Sequence, residues 1–437
     1  MKYLKEEVGQ TSSFYFIGYI FGAQFNVMEL VNGRYSIQGV DLEGLTQEFG
    51  TPIYVYDADK IKSQFDRLKN AFSGVDMKVK YACKSLTNLS ILKLLKSYGS
   101  ELDCVSIQEV RLGLQAGFSP EQILYTPNCV SFEEIKQAVE IGVMINLDNI
   151  SILEQFGNEY HHSVPVCIRL NPHIMAGGNK KISTGHADSK FGISIYQIAH
   201  ILKVVSTYNL NVVGLHMHTG SDILDAEVFL RGAEILFDAA KNFSDLQFID
   251  FGSGFKVAYK DADITTDIED VGAKLSEAFI EFCDRYGKKL EMWFEPGKFL
   301  VSESGVFLTR TNVVKTTPAT VFAGVDSGLN HLIRPMMYDA YHEIVNISNT
   351  SGTKRVYTVV GYICETDTFG LDRKMNEVKE GDVLAFKNAG AYGFSMSSNY
   401  NSRLRPAEIL IYKGQAHLIR RKEEFEDLIR NQVEVEI

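Results

Sequence analysis

The sequence predicts a (β/α)8 TIM-type barrel followed by a C-terminal all-β domain. Three observations lead there. Between about 51 and 308, short apolar strand-like runs alternate with amphipathic segments, the pattern of repeated βα units under a parallel sheet. Past 308 the helical periodicity stops, and short β-rich runs separated by turn residues take over. The chain, at 437 residues, is too long for one small core and suits a large domain plus a smaller one.

Residues 1–27 read as an N-terminal extension. Their apolar run, FYFIGYIFG, is far shorter than a membrane span. Two acids, Glu6 and Glu7, precede it and no A-x-A pattern follows, which argues against a signal peptide. Met28 opens MELVNGRYSIQG, which reads like an ordinary protein start, and 28–50 is expected to pack with the β domain. Strand candidates follow at 53–56, 78–83, 102–105, 123–125, 143–147, 166–170, 212–218, 248–251 and 292–295. Between them, segments such as DADKIKSQFDRLKNAF and DAEVFLRGAEILFDAAKNF place apolar residues at i, i+3, i+4 and i+7. Eight or nine such units over 51–308 fit a closed barrel better than an open sheet. Periodicity alone leaves a doubly wound sheet open. The second domain, 309–437, is built from TRTNVVKTT, TVFAGVD, KRVYTVVGYIC, DVLAFKNAG and AEILIYKG, with a last helical pattern in KEEFEDLIRNQ.

Composition narrows the function. Lys+Arg is 44 and Asp+Glu 55, so the net charge is −11, a poor fit to nucleic acid or an anionic membrane. The six cysteines are scattered with no CxxC pair. That argues against a disulfide framework or a zinc ribbon and fits a reducing, cytoplasmic setting.

In a (β/α)8 barrel the functional residues gather at the C-terminal ends of the strands. VKYACKSLTN puts Lys84 at the end of an apolar run, where burying an ammonium is costly unless it is paired or neutralised. Arg169 ends VCIRL, His216 and His218 end VVGLHMH, Gly252-Ser253-Gly254 follows Asp250-Phe251, and Glu295-Pro296-Gly297-Lys298 follows MWF. The glycine turn fails the GxGxxG fingerprint, because Val257 stands at the third glycine position. There is no GxSxG elbow and no P-loop, and the two histidines lack a third metal ligand at a recognisable spacing. What these residues offer is a lysine nucleophile, glycine turns able to hold a phosphate, and a buried acid. Those are the parts that hold pyridoxal phosphate on a lysine.

YACKSLTN resembles the cofactor-lysine motif of the fold type III, alanine-racemase-like pyridoxal-phosphate decarboxylases. GLHMHTGSD, DFGSGF, EPGKFLVSESG, VDSGLNHLIRPMMYDAYHEI, CETD and GAYGFSMSSNYNSRLRPAEIL follow in that family's order, from about Met28 to Leu410. RPMMYDAYH and CETD bring it nearest to the diaminopimelate decarboxylase branch. The resemblance implies decarboxylation of meso-2,6-diaminopimelate to L-lysine and CO2 with pyridoxal 5'-phosphate, by a homodimer with shared active sites. It makes Lys84 the cofactor-bearing lysine, Glu295 the acid beside the pyridine nitrogen, and His218 the imidazole stacked on the ring. Ser221, Gly252, Ser253, Gly254 and Gly297 resemble the phosphate cradle, and Tyr392 a further cofactor contact. Arg334 and Tyr338 look like contacts to a substrate carboxylate, Glu365 like the acid for the distal amine, and Cys364 like the thiol that protonates the product. His216 is expected to be ordinary packing, and Asp103, Glu109 and Arg169 to be either site residues or scaffold ion pairs.

Four departures stand out. Lys298 replaces an arginine, keeping the charge but losing the fork geometry. Ser253 replaces a glycine, which is comfortable only if its φ is negative. Ser85-Leu86 replaces the usual Ala-Asn, and ETDTF the usual ESxD, with Asp367 kept. The alternatives are a sibling decarboxylase of ornithine, arginine or carboxynorspermidine, a catalytically inactive regulatory relative, and, weakest, a Rossmann-type oxidoreductase.

Overall fold

The computed structural model describes residues 27–174, 185–186, 188–260 and 262–437. Most of the expected extension, 1–26, therefore lies outside the described residues.

Eight parallel strands form the barrel: Met77–Ala82, Glu101–Cys104, Ile123–Tyr125, Met144–Leu147, Pro165–Asn171, Asn211–Met217, Phe248–Asp250 and Glu291–Phe294. Each pairs with the next, and the last pairs with the first, so the ring closes. That decides against the doubly wound alternative. Helices cover the outside, and several start on a side chain that caps the first turn. Asn88, Ser106, Ser131, Asn149 and Asp267 each accept a backbone N–H there. The floor of the barrel is aromatic. Phe248 stacks on Trp293 with centroids 3.4 Å apart, and a Cβ at Gly214 would fall 2.2 Å from the Phe248 ring. Only glycine lets those neighbouring strands approach so closely.

The ninth strand candidate is not in the barrel. Ile53–Asp57 lies in the second sheet, antiparallel to Gly305–Thr316 and parallel to Ala407–Tyr412. All five of its residues are buried, so its apolar run looks like that of a barrel strand. The chain thus begins in the second sheet, and Asp57 caps the helix Ala58–Ala71, which packs on the barrel. The return comes at Gly305–Thr316, which belongs to the second sheet and pairs there with three strands. The sheets therefore do not divide at 51 and 308. The second sheet has nine strands, and the final helical pattern yields only the short helix Phe425–Ile429. Val27, Met28, Ile37, Leu42 and Leu45 form a separate small core with Val55, Val306, Val383 and Ile409 of that sheet.

Candidate active site

The strand ends converge on a cavity of about 500 Å³ at the mouth of the barrel. Lys84 enters from the turn Cys83–Ser85 that follows the first barrel strand. Its Nζ lies 2.9 Å from Asp103 Oδ2, on the adjacent strand. Burial works against the Lys84 ammonium, but Asp103, with Tyr392 and Glu295 behind it, outweighs burial and the net shift is upward. Desolvation alone would make this lysine easier to deprotonate, and the net direction is the opposite. The physical reason is a buried carboxylate at contact distance. Asp103 itself is pushed up, first by burial and then by Glu295, with Lys84 opposing.

Glu295 follows the last barrel strand and is buried. Its Oε2 lies 3.1 Å from His216 Nε2, while Oε1 has no hydrogen-bonding partner among the described residues. Burial raises its carboxyl, and Lys84, Arg169 and Lys80 oppose that rise. His218 Nδ1 accepts the Ser253 N–H at 3.2 Å, which leaves the proton of the neutral ring on Nε2. Burial, then Arg169, hold His218 well below the ordinary imidazole range. His216, near the end of the strand Asn211–Met217, is buried, and His218, one residue past that strand, lines the cavity.

The glycine turn is tight. Gly252 and Gly254 have φ of +64° and +128°, and a Cβ at Gly252 would fall 2.6 Å from Met217 O and 2.7 Å from His218 Nδ1. Ser253, between them, is not among the positive-φ residues, so its side chain is accommodated without strain. Ser221, Ser253, Gly254, Gly297, Lys298 and Tyr392 line the cavity with Lys84, His218 and Glu295. Gly252 does not line it and instead shapes the turn beneath His218. Lys298 is not a free cation: its Nζ is 2.6 Å from Asp222 Oδ1. Asp103 and Arg169 also line the cavity, whereas Glu109 accepts the Val105 N–H behind it.

Four expected substrate residues lie outside the cavity lining in this chain. Arg334 is buried, with Nη1 3.3 Å from His342 Nε2 and its guanidinium 4.9 Å above the Tyr259 ring. Tyr338 closes the same short helix, Arg334–Tyr338. Cys364 and Glu365 are exposed. Cys364 Sγ lies 3.3 Å from Asn401 Oδ1, and Glu365 Oε1 accepts the Tyr400 hydroxyl at 2.8 Å. Asp367 staples the CETD loop by accepting the Leu329 and Ile363 N–H groups at 2.6 and 2.9 Å.

Two polar residues at the site were not singled out in the sequence: Asp222, paired with Lys298, and Asn128, which lines the cavity. Asp222 had one legible signal, a lone acid directly after the HTGS turn opposite the lone cation of EPGK. Asn128 had none. Ser85-Leu86 now has an account. Ser85 Oγ donates to Ala82 O at 2.8 Å, and its carbonyl accepts the Tyr392 N–H at 2.8 Å, joining the Lys84 turn to the Tyr392 segment. Leu86 is buried in the main core.

Pyridoxal phosphate fits these residues. An amine stands opposite an acid whose Oε1 is buried and unpartnered, and a glycine turn with no room for a Cβ lies between an imidazole and a serine. Comparisons agree with that fit. Residues 58–302 match the family model described as the pyridoxal binding domain of pyridoxal-dependent decarboxylases. A diaminopimelate decarboxylase from Methanothermobacter thermautotrophicus is 39% identical over 410 residues, covering 92% of this chain and 96% of that protein. One from Campylobacter jejuni is 37% identical, covering 89% and 98%. The crystal structure of diaminopimelate decarboxylase from M. jannaschii in complex with L-lysine superposes with a TM-score of 0.84 at 32% identity, covering 94% and 98%.

Proposed function

The chain belongs to the pyridoxal-dependent decarboxylase family, among its diaminopimelate decarboxylases, and from that premise we propose that it converts meso-2,6-diaminopimelate to L-lysine and CO2. The observation that carries the reading is the set of Lys84, His218, Glu295 and a Cβ-free glycine turn around one cavity.

Lys84 would hold the cofactor through Nζ, which Asp103 keeps in place. Glu295 would hold the cofactor's ring nitrogen through Oε1 and favour its protonated form. When bound, the cofactor supplies the electron sink for the pair left on the α-carbon as CO2 departs. His218, in the cavity lining, would hold the cofactor's ring and exclude water beside it. The Ser221 and Ser253 hydroxyls, with Gly254 and Gly297 leaving room beside them, would hold the phosphate, while the Gly252 and Ser253 N–H groups stay on Asp250 and His218. Arg334 and Tyr338, beyond the cavity lining, are assigned to a substrate carboxylate, and Lys298, paired with Asp222, gives the wall a polar group rather than a net charge. Glu365 takes the distal amine, and Cys364 Sγ gives its proton to the α-carbon.

The exposed positions of Cys364, Glu365 and their partners Asn401 and Tyr400 support a homodimer in which these residues complete the partner's cavity. Six unpaired cysteines support a cytoplasmic setting, and no described helix is long and apolar enough to cross a membrane. The competing ornithine-type reading would leave Arg334, a buried cation, without the carboxylate it suits.

Borohydride reduction of the loaded protein followed by peptide mapping tests the core assignment. The modification is expected on Lys84, with loss of lysine formation. Modification elsewhere, or none, would overturn it.

A further inference from the structure

Three buried ionisable side chains meet at the cavity: Glu295, which lines it, and His216 and Asp250, which do not. One ligating atom from each lies within 4.8 Å of the other two. His216 and Asp250 sit opposite each other on adjacent strands. Glu295 follows the next strand, and its N–H donates to Gly252 O at 2.6 Å. The Gly252 N–H in turn donates to Asp250 Oδ1 at 2.8 Å, so the turn and the acid share one framework.

The His216 ring is fully buried, and its proton can be assigned from its surroundings. Nε2 is 3.1 Å from Glu295 Oε2, and Nδ1 has no partner. With the proton on Nε2, the ring donates to a carboxylate and leaves only a lone pair idle. With the proton on Nδ1, a buried N–H stays unpaired and a lone pair faces the carboxylate oxygen. An unpaired buried donor is the more costly of the two, and the second arrangement adds repulsion. Burial, followed by the nearby Arg169, keeps the ring from taking a second proton.

We propose that His216 is a positioning residue: its Nε2–H holds Glu295 Oε2, fixes the carboxyl rotamer, and leaves Oε1 as the oxygen presented to the cofactor's ring nitrogen. This rests on the reading of Glu295 given above. Without the clamp, Glu295 has unfilled acceptors on both oxygens and no single orientation. His216 thus does more than fill space.

Three substitutions separate this role from packing. His216→Gln carries an amide N–H to where Nε2 lies. His216→Asn reaches only the Nδ1 position, and His216→Leu removes the donor while filling volume. For each folded variant the visible absorption spectrum of the loaded protein, the cofactor dissociation constant and separate kcat and KM values are measured. The expectation is that Leu and Asn weaken cofactor binding and lower kcat by about tenfold, the scale of one lost charge-assisted hydrogen bond. The spectrum changes, KM stays nearly constant, and Gln restores most of the loss. Glu295→Gln serves as the control. If Glu295→Gln changes the spectrum and affinity while Leu and Asn do not, the positioning role is wrong. If Glu295→Gln changes neither, the reading of Glu295 is wrong and the proposal falls with it. Equal damage by Gln, Asn and Leu would also overturn it, since packing alone then suffices.

Discussion

Lys84 and Cys364 mark the two limits of what single residues disclose. Lys84 was legible because an ammonium at the end of an apolar strand needs a reason, and glycine turns and an acid recur at other strand ends. Its partner Asp103 was visible only as a family-like context, and the upward shift it imposes runs against the expected desolvation effect. Cys364 is exposed and far from any signal of its own, so its role rests on the CETD motif. If Cys364 Sγ protonates the product, Cys364→Ala slows turnover by at least about tenfold, within the 10²–10⁴-fold range of general acid catalysis or just below it. KM for meso-diaminopimelate stays nearly constant. Steady-state kinetics with product analysis checks this, and an unchanged kcat removes the role. His216 read as packing because a histidine on a strand usually is, and the 3.1 Å contact to Glu295 is what sets it apart.

At the scale of elements, period and length located the barrel strands but could not assign Ile53–Asp57. A fully buried parallel strand has the same apolar run in either sheet, and only the pairing partners tell them apart. The first barrel strand illustrates a further limit. Lys80 is wholly buried, with Nζ 3.9 Å from the Trp293 ring and 2.5 Å from Glu101 Oε2. Burial pushes its ammonium down, with Glu101 opposing. Its alternation with Lys78 and Lys84 in the sequence suggests a solvent-facing stripe, whereas the closed barrel turns that stripe inward. Lys80→Met is expected to lower stability by about 2 kcal/mol. That is less than the 3–5 kcal/mol typical of a broken buried pair. The discount follows because Glu101 keeps Lys78 at 3.7 Å and is itself 17% exposed. Urea unfolding checks it, and a variant as stable as the parent shows that the Glu101 pair adds nothing net.

Over the whole molecule, the barrel brings the cofactor residues to one cavity, while Cys364 and Glu365 stay on the outside of the second domain. Two-domain architecture was legible from the change of texture past 308, but the interleaving of the sheets was not, because it depends on contacts far apart in sequence. If sites are shared across a homodimer, inactive Lys84→Ala and slowed Cys364→Ala proteins reach about a quarter of parent activity when unfolded together in equal amounts and reassembled at random, well above either alone. No recovery would place both residues in one subunit's site. The most direct test of the central claim is turnover by the loaded protein with meso-diaminopimelate, L-lysine and L-ornithine side by side, reading CO2 and amine product. CO2 with stoichiometric L-lysine from meso-diaminopimelate alone is the predicted result. CO2 from ornithine or lysine but not from meso-diaminopimelate would contradict it.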